Sequence, residues 1–287
     1  MENSSVDKLA IVADPLNSDS VERLERYFQE ELLLGRSMTA FPYRYMYKLP
    51  FQSGVIMLAD RNDKVRQLRF EFNPKRANRD DVKAIYKRVL SFMKYPEIKR
   101  LDLAFDYAEN LSDMRWLDSK SRPYNVHYTG KGGVQTHYVG GKYSKMNIVM
   151  YDKRAEQASK QGLEPEELGV KEWWRIEVRF NSSDEVTRFM NDDTYNPFDE
   201  ATPYYPMGMG MKGLKVHEKG MLIALFSEHG QTLLEEMSRP SRVKYKKMMK
   251  DYSLPTPVDV RSDFQAQKND LRTQVVSWLK YTKLAVF

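Results

Sequence analysis

Four carboxylates and one tyrosine are spaced in this sequence so that they could act together. Glu71, Asp102, Asp106 and Glu177 fall in three runs that alternate polar and apolar residues: Arg69-Phe-Glu-Phe72, Arg100-Leu-Asp-Leu-Ala-Phe-Asp106 and Arg175-Ile-Glu-Val-Arg-Phe180. In an extended chain successive side chains point to opposite faces. Each run therefore puts its acids and arginines on one side, and residues such as Phe70, Leu103 and Val178 on the other. If the three strands are neighbours, one sheet face is a core and the other a field of acids and arginines. Cross-strand ion pairs on a solvated face would need no further partner. Four acids clustered centrally, however, repel one another unless a cation or arginines offset them, and Mg2+ or Mn2+ suits oxygen ligands of this kind.

The nucleophile candidate is Tyr151. In residues 145–151 the alternation puts Asn147, Val149 and Tyr151 on one face, and the chain then runs into the charged corner Asp152-Lys153-Arg154. A free phenol ionises near pH ~10, so it needs help to attack anything at neutral pH. A tyrosine at a strand end is also an ordinary amphipathic packing residue, and the chain has 18 tyrosines, so position alone does not single this one out. None of the four histidines forms a His-x-His pair, and the absence of cysteine excludes thiolate zinc sites, disulfides and a cysteine nucleophile.

The elements that would position these groups are legible as periodicities. Strands are expected at 8–13, 68–72, 100–107, 125–129, 136–139, 145–151 and 173–180, with broken aromatic strands within 40–60. Amphipathic helices are expected from Asp19 towards Gly35 and over 80–94, the latter with Val82, Ile85, Tyr86, Val89, Leu90 and Met93 inward. A further helix opens at Ser182 with Glu185. Residues 156–171 read as a loop or short helix. Helices follow over 217–237, 241–252 and 262–284. Arg69-Phe-Glu-Phe-Asn73 and Arg175 to Asn181 each lead into a helix, hinting at a duplicated strand–helix half. The fold expected is α+β: curved antiparallel sheet, helices on one face, then a helical, basic C-terminal region. Pro-, Met- and Gly-rich residues 196–213 suggest a boundary between a core of 1–195 and a region of 196–287. The Met207-Gly-Met-Gly-Met-Lys212 run is read as a connector without chemistry.

Five motifs stand in order: Arg69-Phe-Glu-Phe-Asn-Pro74, Arg100-Leu-Asp-Leu-Ala-Phe-Asp106, Tyr138-Val-Gly-Gly141, Ile148-Val-Met-Tyr-Asp-Lys153 and Trp174-Arg-Ile-Glu-Val178. Singly they are weak. As a series with this spacing, from about Leu9 to the C-terminal helices, the chain resembles the Rep_trans family of rolling-circle replication initiators, typified by staphylococcal resistance plasmids. The resemblance implies that Tyr151 nicks one strand of the double-strand origin, stays linked to its 5′ end, leaves a 3′-OH primer and later rejoins the strand. It also implies a divalent metal, Mg2+ or Mn2+, a homodimer with one tyrosine per subunit, and recruitment of a host helicase. By face and spacing Asp102 and Glu177 are the first candidate ligands, Asp106 and Glu71 the second. Where the family usually has Gly-Ser/Val-Arg after its Y-x-G turn, this chain has Gly141-Lys142, so a basic side chain is kept there. Lys142, Lys153, Arg154, Arg175 and Arg179 are the expected contacts to phosphate or the single strand.

Composition agrees with a polyanionic partner without requiring one. The 287 residues carry a net charge of +6, 30% charged and 41% hydrophobic residues. Arg239, Arg242, Lys244, Lys246, Lys247 and Lys250 make one basic helical segment, either a solvated face or the element that reads origin DNA. The N-terminal residues are polar, without the apolar stretch of a signal peptide, and no apolar run approaches the ~20 residues that span a membrane. A cytoplasmic protein is the expectation. Two rival readings remain open on sequence: a non-catalytic DNA-binding copy-control factor, and a carboxylate–metal nuclease that uses water.

Overall fold

A computed structural model describes residues 4–38, 42–49, 54–59, 65–128, 134–141, 143–205, 211, 213–227, 229–253 and 256–280. The strands are β1 (Ser4–Pro15), β2 (Arg36–Met38), β3 (Tyr45–Lys48), β4 (Val55–Leu58), β5 (Leu68–Phe72), β6 (Met93–Tyr107), β7 (Arg115–Asp118), β8 (Tyr124–Tyr128), β9 (Val134–Val139), β10 (Met146–Asp152), β11 (Trp174–Phe180) and β12 (Ala201–Tyr204). The helices are α1 (Asp19–Arg26), α2 (Arg79–Val89), α3 (Lys153–Gln161), α4 (Ser183–Asn191), α5 (Val216–Leu225), α6 (Gly230–Glu236), α7 (Arg239–Tyr252) and α8 (Val260–Leu279). Ten strands form one antiparallel sheet in the order β2-β3-β4-β5-β1-β6-β11-β10-β9-β8, and β7 pairs with β12 separately. The protein is thus α+β, as its patterning predicts.

The alternation of the central strands decides which face is covered. Leu9, Ile11, Phe70, Phe72, Leu101, Leu103, Phe105, Ile176, Val178 and Phe180 are buried in one core, together with Phe28 from the π-helical turn after α1, Val82 of α2, and Val186 and Phe189 of α4. Each large side chain buried there stabilises the fold by roughly 1.5–3 kcal/mol relative to exposure. Helix starts are fixed locally: the Asn78 side chain accepts from the Asp80 and Asp81 amides, and Ser182 Oγ accepts from the Glu185 amide at 3.3 Å. α8 lays Phe264, Leu271, Val275 and Trp278 on the same core. Its buried Lys268 donates to the carbonyls of Asp192, Asp193 and Tyr195, closing off the chain that leaves α4. The C-terminal region is therefore divided: α8 returns to the sheet, while α5, α6 and α7 enclose a second cluster of Leu222, Leu225, Leu234, Met248 and Met249.

Several local expectations are corrected. The helix expected over 80–94 ends in a 3-10 turn at Leu90–Phe92, and Met93 opens β6 instead of continuing the helical face. Pro96 and the β-branched Ile98 favour the extended chain there. The helix expected over 217–237 is two, α5 and α6, broken at Phe226 and Ser227. β7 and β12 were not expected, since four-residue runs containing Asp or Pro give no clear period. Finally, α3 is not on the helical face: its Glu156, Gln157 and Lys160 line the polar side of the sheet. The part of the last predicted helix beyond residue 280, residues 207–210 and 212 of the Met-Gly run, and Lys142 lie outside the described residues.

Outward from its centre the sheet reads twice: β1, β5, β4, β3, β2 on one side and β6, β11, β10, β9, β8 on the other. The central register is itself two-fold, with Lys8 opposite Asp102, Leu9 opposite Leu101 and Ala10 opposite Arg100. α2 follows β5 as α4 follows β11. The duplicated half suggested by the two strand–helix echoes is present in the topology.

Candidate active site

The uncovered face of β6, β11 and β10 carries a cavity of about 610 Å³. Register explains its floor. Tyr151 stands opposite Arg175, which stands opposite Asp106; one row along, Val149, Glu177 and Ala104 are aligned; the next row is Asn147, Arg179 and Asp102. Antiparallel partners share a face, so the tyrosine, two arginines and three acids converge on one side. β1 brings Asp7 and Lys8, the turn after β5 brings Asn73, Lys75 and Arg76, and α3 closes one wall.

Tyr151 Oη donates to Glu177 Oε1 at 2.7 Å, and Lys153 Nζ lies 3.5 Å from the same hydroxyl. Burial, then the charge of Glu177, push the phenol well above its usual pKa against the pull of Arg175. At rest the hydroxyl is therefore protonated, with a carboxylate as its acceptor. Arg179 Nε and Nη2 both donate to Glu177 Oε2, at 2.9 and 2.7 Å. Arg175 forks onto Asp106 at 2.6 and 2.7 Å, reaches Asp7 at 3.1 Å, and Trp173 Nε1 adds a 3.1 Å bond to Asp106. Arg100 forks onto Asp102 at 2.8 and 2.7 Å. Buried Lys153 is held by Glu156, whose carboxyl is pushed up by burial but carried down to about 2 by Lys153 and Lys160.

The four predicted acids do not share one environment. Glu71 is on β5, outside the cavity lining, and is held by Lys8 and Arg69. Burial raises its pKa, but Arg69 and Lys8 outweigh that and carry it to about 2. Asp106 is in the cavity but locked by Arg175 and Trp173. Asp102 and Glu177 lie together, with Arg179 Nε 4.0 Å from Asp102 Oδ2. Burial pushes Asp102 upward and nearby Glu177 adds to that push, against Arg100 and Arg179. Among the described residues no three of His, Asp and Glu converge to hold a metal by themselves. The donor set fits an ion held through one or two carboxylates, with substrate phosphate oxygens and water completing its shell, as is usual for Mg2+.

Of the predicted cationic contacts, Lys153, Arg175 and Arg179 line the cavity, whereas Arg154 donates to the Val170 and Lys171 carbonyls at the wall behind it. Lys8, Lys75, Arg76, Arg100 and Lys160 line it without having been predicted, because which strands, turns and helices adjoin the floor cannot be read from a single strand's sequence. The basic segment is α7, and half of its cations serve the fold. Arg242 caps the end of α6 at the Leu234, Glu235 and Met237 carbonyls, Lys244 pairs with Glu218 at 2.7 Å, and Lys246 donates to the Asp118 carbonyl at 2.6 Å. Arg239, Lys247 and Lys250 are exposed on the helix surface. No helix among the described residues is long and apolar enough to cross a membrane.

No family model matches the chain. It is similar to a replication initiation protein of Staphylococcus aureus, 27% identical over 281 residues, covering 96% of this chain and 84% of the relative. A second replication initiation protein from Staphylococcus aureus is 26% identical over 96% of this chain and 85% of its own length. Among solved structures, a rolling circle replication initiator protein from Geobacillus stearothermophilus aligns with 74% of this chain and 89% of its own, at 13% identity and a TM-score of 0.44.

Proposed function

We propose that this chain initiates rolling-circle replication by nicking one strand of a double-strand origin with Tyr151. The observation that carries the reading is the bond from Tyr151 Oη to Glu177 at the floor of a cation-lined cavity. Near full-length similarity to replication initiation proteins supports the biological role. The phenol oxygen attacks phosphorus and passes its proton to Glu177; a P–O(Tyr) bond forms and the P–O3′ bond breaks. The departing 3′ oxygen takes up a proton and becomes the primer hydroxyl, and the 5′ phosphate stays on Tyr151. One phosphodiester replaces another, so the link retains what is needed for rejoining. Lys153, beside the phenol oxygen, and Arg175, Arg179 and Lys75 offset charge building on the phosphate. A divalent ion, Mg2+ or Mn2+, would be held by Asp102 and Glu177, and its chemistry there is to polarise the scissile phosphate. Asp106 is assigned to positioning Arg175, and Glu71 to holding Lys8 and Arg69. Exposed Arg239, Lys247 and Lys250 of α7 are assigned to duplex phosphates, and the assembly to a homodimer that recruits a host helicase.

The test is a suicide oligonucleotide bearing the nick site, with metal present. The wild type should form a covalent adduct mapped to Tyr151, and Tyr151→Phe should form none. An adduct on Tyr151→Phe overturns the assignment. Cutting by the wild type without any attached protein would favour the water-using nuclease, and binding without cutting the copy-control factor.

A further inference from the structure

Breaking the P–O3′ bond leaves an oxygen that must take up a proton, and the groups assigned so far do not supply it. Glu177 receives the phenol proton and, with Asp102, would hold the metal. Asp106 is locked by Arg175 and Trp173. Guanidinium groups keep their protons at any ordinary pH, which removes Arg76, Arg100, Arg175 and Arg179. That leaves the lysines. Of the four that line the cavity, Lys8 is paired with Glu71, and Lys153 and Lys160 are both paired with Glu156. Lys75 has no carboxylate partner among the described residues.

Its place in the cavity differs as well. The attacking and leaving oxygens are roughly in line, so the 3′ oxygen departs on the side of phosphorus away from Tyr151. Lys153 and Lys160 belong to α3, which follows β10 directly, and Lys153 Nζ is already beside the attacking phenol. Lys75 comes from the turn after β5, across β11, β6 and β1 from the strand of Tyr151. Tyr151 Oη leans towards that side, because its acceptor Glu177 is on β11. The turn is tied to the floor beneath it. Asn73 Oδ1 accepts from the Lys75 amide at 2.9 Å, Asn73 Nδ2 donates to Asp7 at 3.3 Å, and Asp7 accepts from Arg175 at 3.1 Å. Desolvation at the cavity wall, then the charge of Arg175, lower the pKa of Lys75 against the pull of Asp106 and Asp7. An ammonium so placed gives up its proton more readily than one in water.

We propose that Lys75 is the general acid of the nicking step, the proton donor to the departing 3′ oxygen on the wall facing Tyr151. This role deepens the nicking reading and rests on it. As the P–O3′ bond breaks, its electron pair stays on O3′, which takes a proton from Lys75 Nζ and leaves a neutral amine. Rejoining reverses both transfers: the amine takes the proton of the 3′-OH, and Glu177 returns its own to Tyr151. The two walls of the cavity thus divide the chemistry, with the nucleophile and its acceptor on one and the acid for the leaving group on the other.

The experiment follows single-turnover adduct formation by the full chain, with metal present, on two oligonucleotides containing the nick site. They are identical except that one carries sulfur in place of the bridging 3′ oxygen. A thiol ionises near pH ~8.5, so the sulfur departs without an acid. Lys75→Arg keeps the charge but has no transferable proton. It should slow the oxygen substrate about 10²–10⁴-fold and stay within about threefold of the wild type on the sulfur substrate. Lys75→Ala should likewise lose far more on oxygen than on sulfur. Recovery on sulfur also shows that the variant is folded. Equal losses on the two substrates, or no loss on oxygen, overturn the assignment and leave nicking by Tyr151 intact. Absence of a wild-type adduct on both substrates would instead sink the nicking reading, and the role of Lys75 with it.

Discussion

Replacing Asp106 with Asn tests whether the arginine beside Tyr151 is held as described. Arg175 and Asp106 are both buried, with side chains 5% and 8% exposed, and the carboxylate accepts two guanidinium bonds at 2.6 and 2.7 Å. Asn keeps the shape but offers one acceptor and no charge. Removing one partner of a buried ion pair costs about 3–5 kcal/mol because the other charge stays behind. Asp7, at 3.1 Å and partly exposed, retains some of the compensation, which places the expected loss near ~3 kcal/mol. For a chain of this size that is a fall in Tm of roughly 6–12 °C. Urea denaturation of wild type, Asp106→Asn and the double variant Asp106→Leu/Arg175→Met provides the measurement. The double variant leaves only the partly exposed Asp7 without its arginine, and should return to within about 1 kcal/mol of wild type. It should form no DNA adduct, since the guanidinium facing Tyr151 is gone. If Asp106→Asn costs less than about 1 kcal/mol, Asp7 alone holds Arg175 and the pairing argument fails.

Two further outcomes follow from the same structure. Glu177→Gln keeps a hydrogen bond to Tyr151 but cannot take its proton, so the rate of adduct formation should drop about 10²–10⁴-fold in single-turnover assays; a near-normal rate would move the proton acceptor elsewhere. His137 is fully buried; that burial, and then the charge of Arg115, depress its pKa from 6.5 to about 3. The unfolded chain therefore binds a proton that the native chain refuses between those values. Stability from keeping His137 neutral is present above pH 6.5 and is lost as pH falls towards about 3, by up to about 1.4 kcal/mol per pH unit. Comparing the pH dependence of urea unfolding for the wild type and His137→Gln isolates this, and parallel curves would show that His137 does not contribute.

Period-two alternation made the working strands legible because each buries one face only: Arg69 to Phe72, Arg100 to Asp106 and Arg175 to Phe180 all lie where the pattern puts them. It also separated acids from core residues correctly. Pairing was not legible. Nothing local to Glu71 shows that β1 separates its strand from Asp102, or that Lys8 joins Arg69 in neutralising it. The same applies to Glu177, whose partners Tyr151 and Arg179 depend on register with β10 and on rotamer choice. Short elements escaped for a different reason: Arg115–Asp118 and Ala201–Tyr204 are too brief for a period, and tertiary pairing with each other fixes them. In α7 the basic pattern was visible, but the neighbours that claim Arg242, Lys244 and Lys246 come from other elements.

α3 begins two residues after Tyr151, and Asp152 caps it by accepting from the Ala155 amide at 2.8 Å. On its other side Tyr151 is paired in the sheet with both β9 and β11. The backbone carrying the phenol thus has no hinge within reach on either side. A DNA end joined to it is moored to a strand paired on both edges and cannot be carried elsewhere by a swinging arm. Under the proposed reaction the free 3′ end has to travel back to Tyr151 for the strand to be resealed. Completion of a cycle is then set by the path of the nucleic acid across the sheet, and not by rearrangement of the tyrosine.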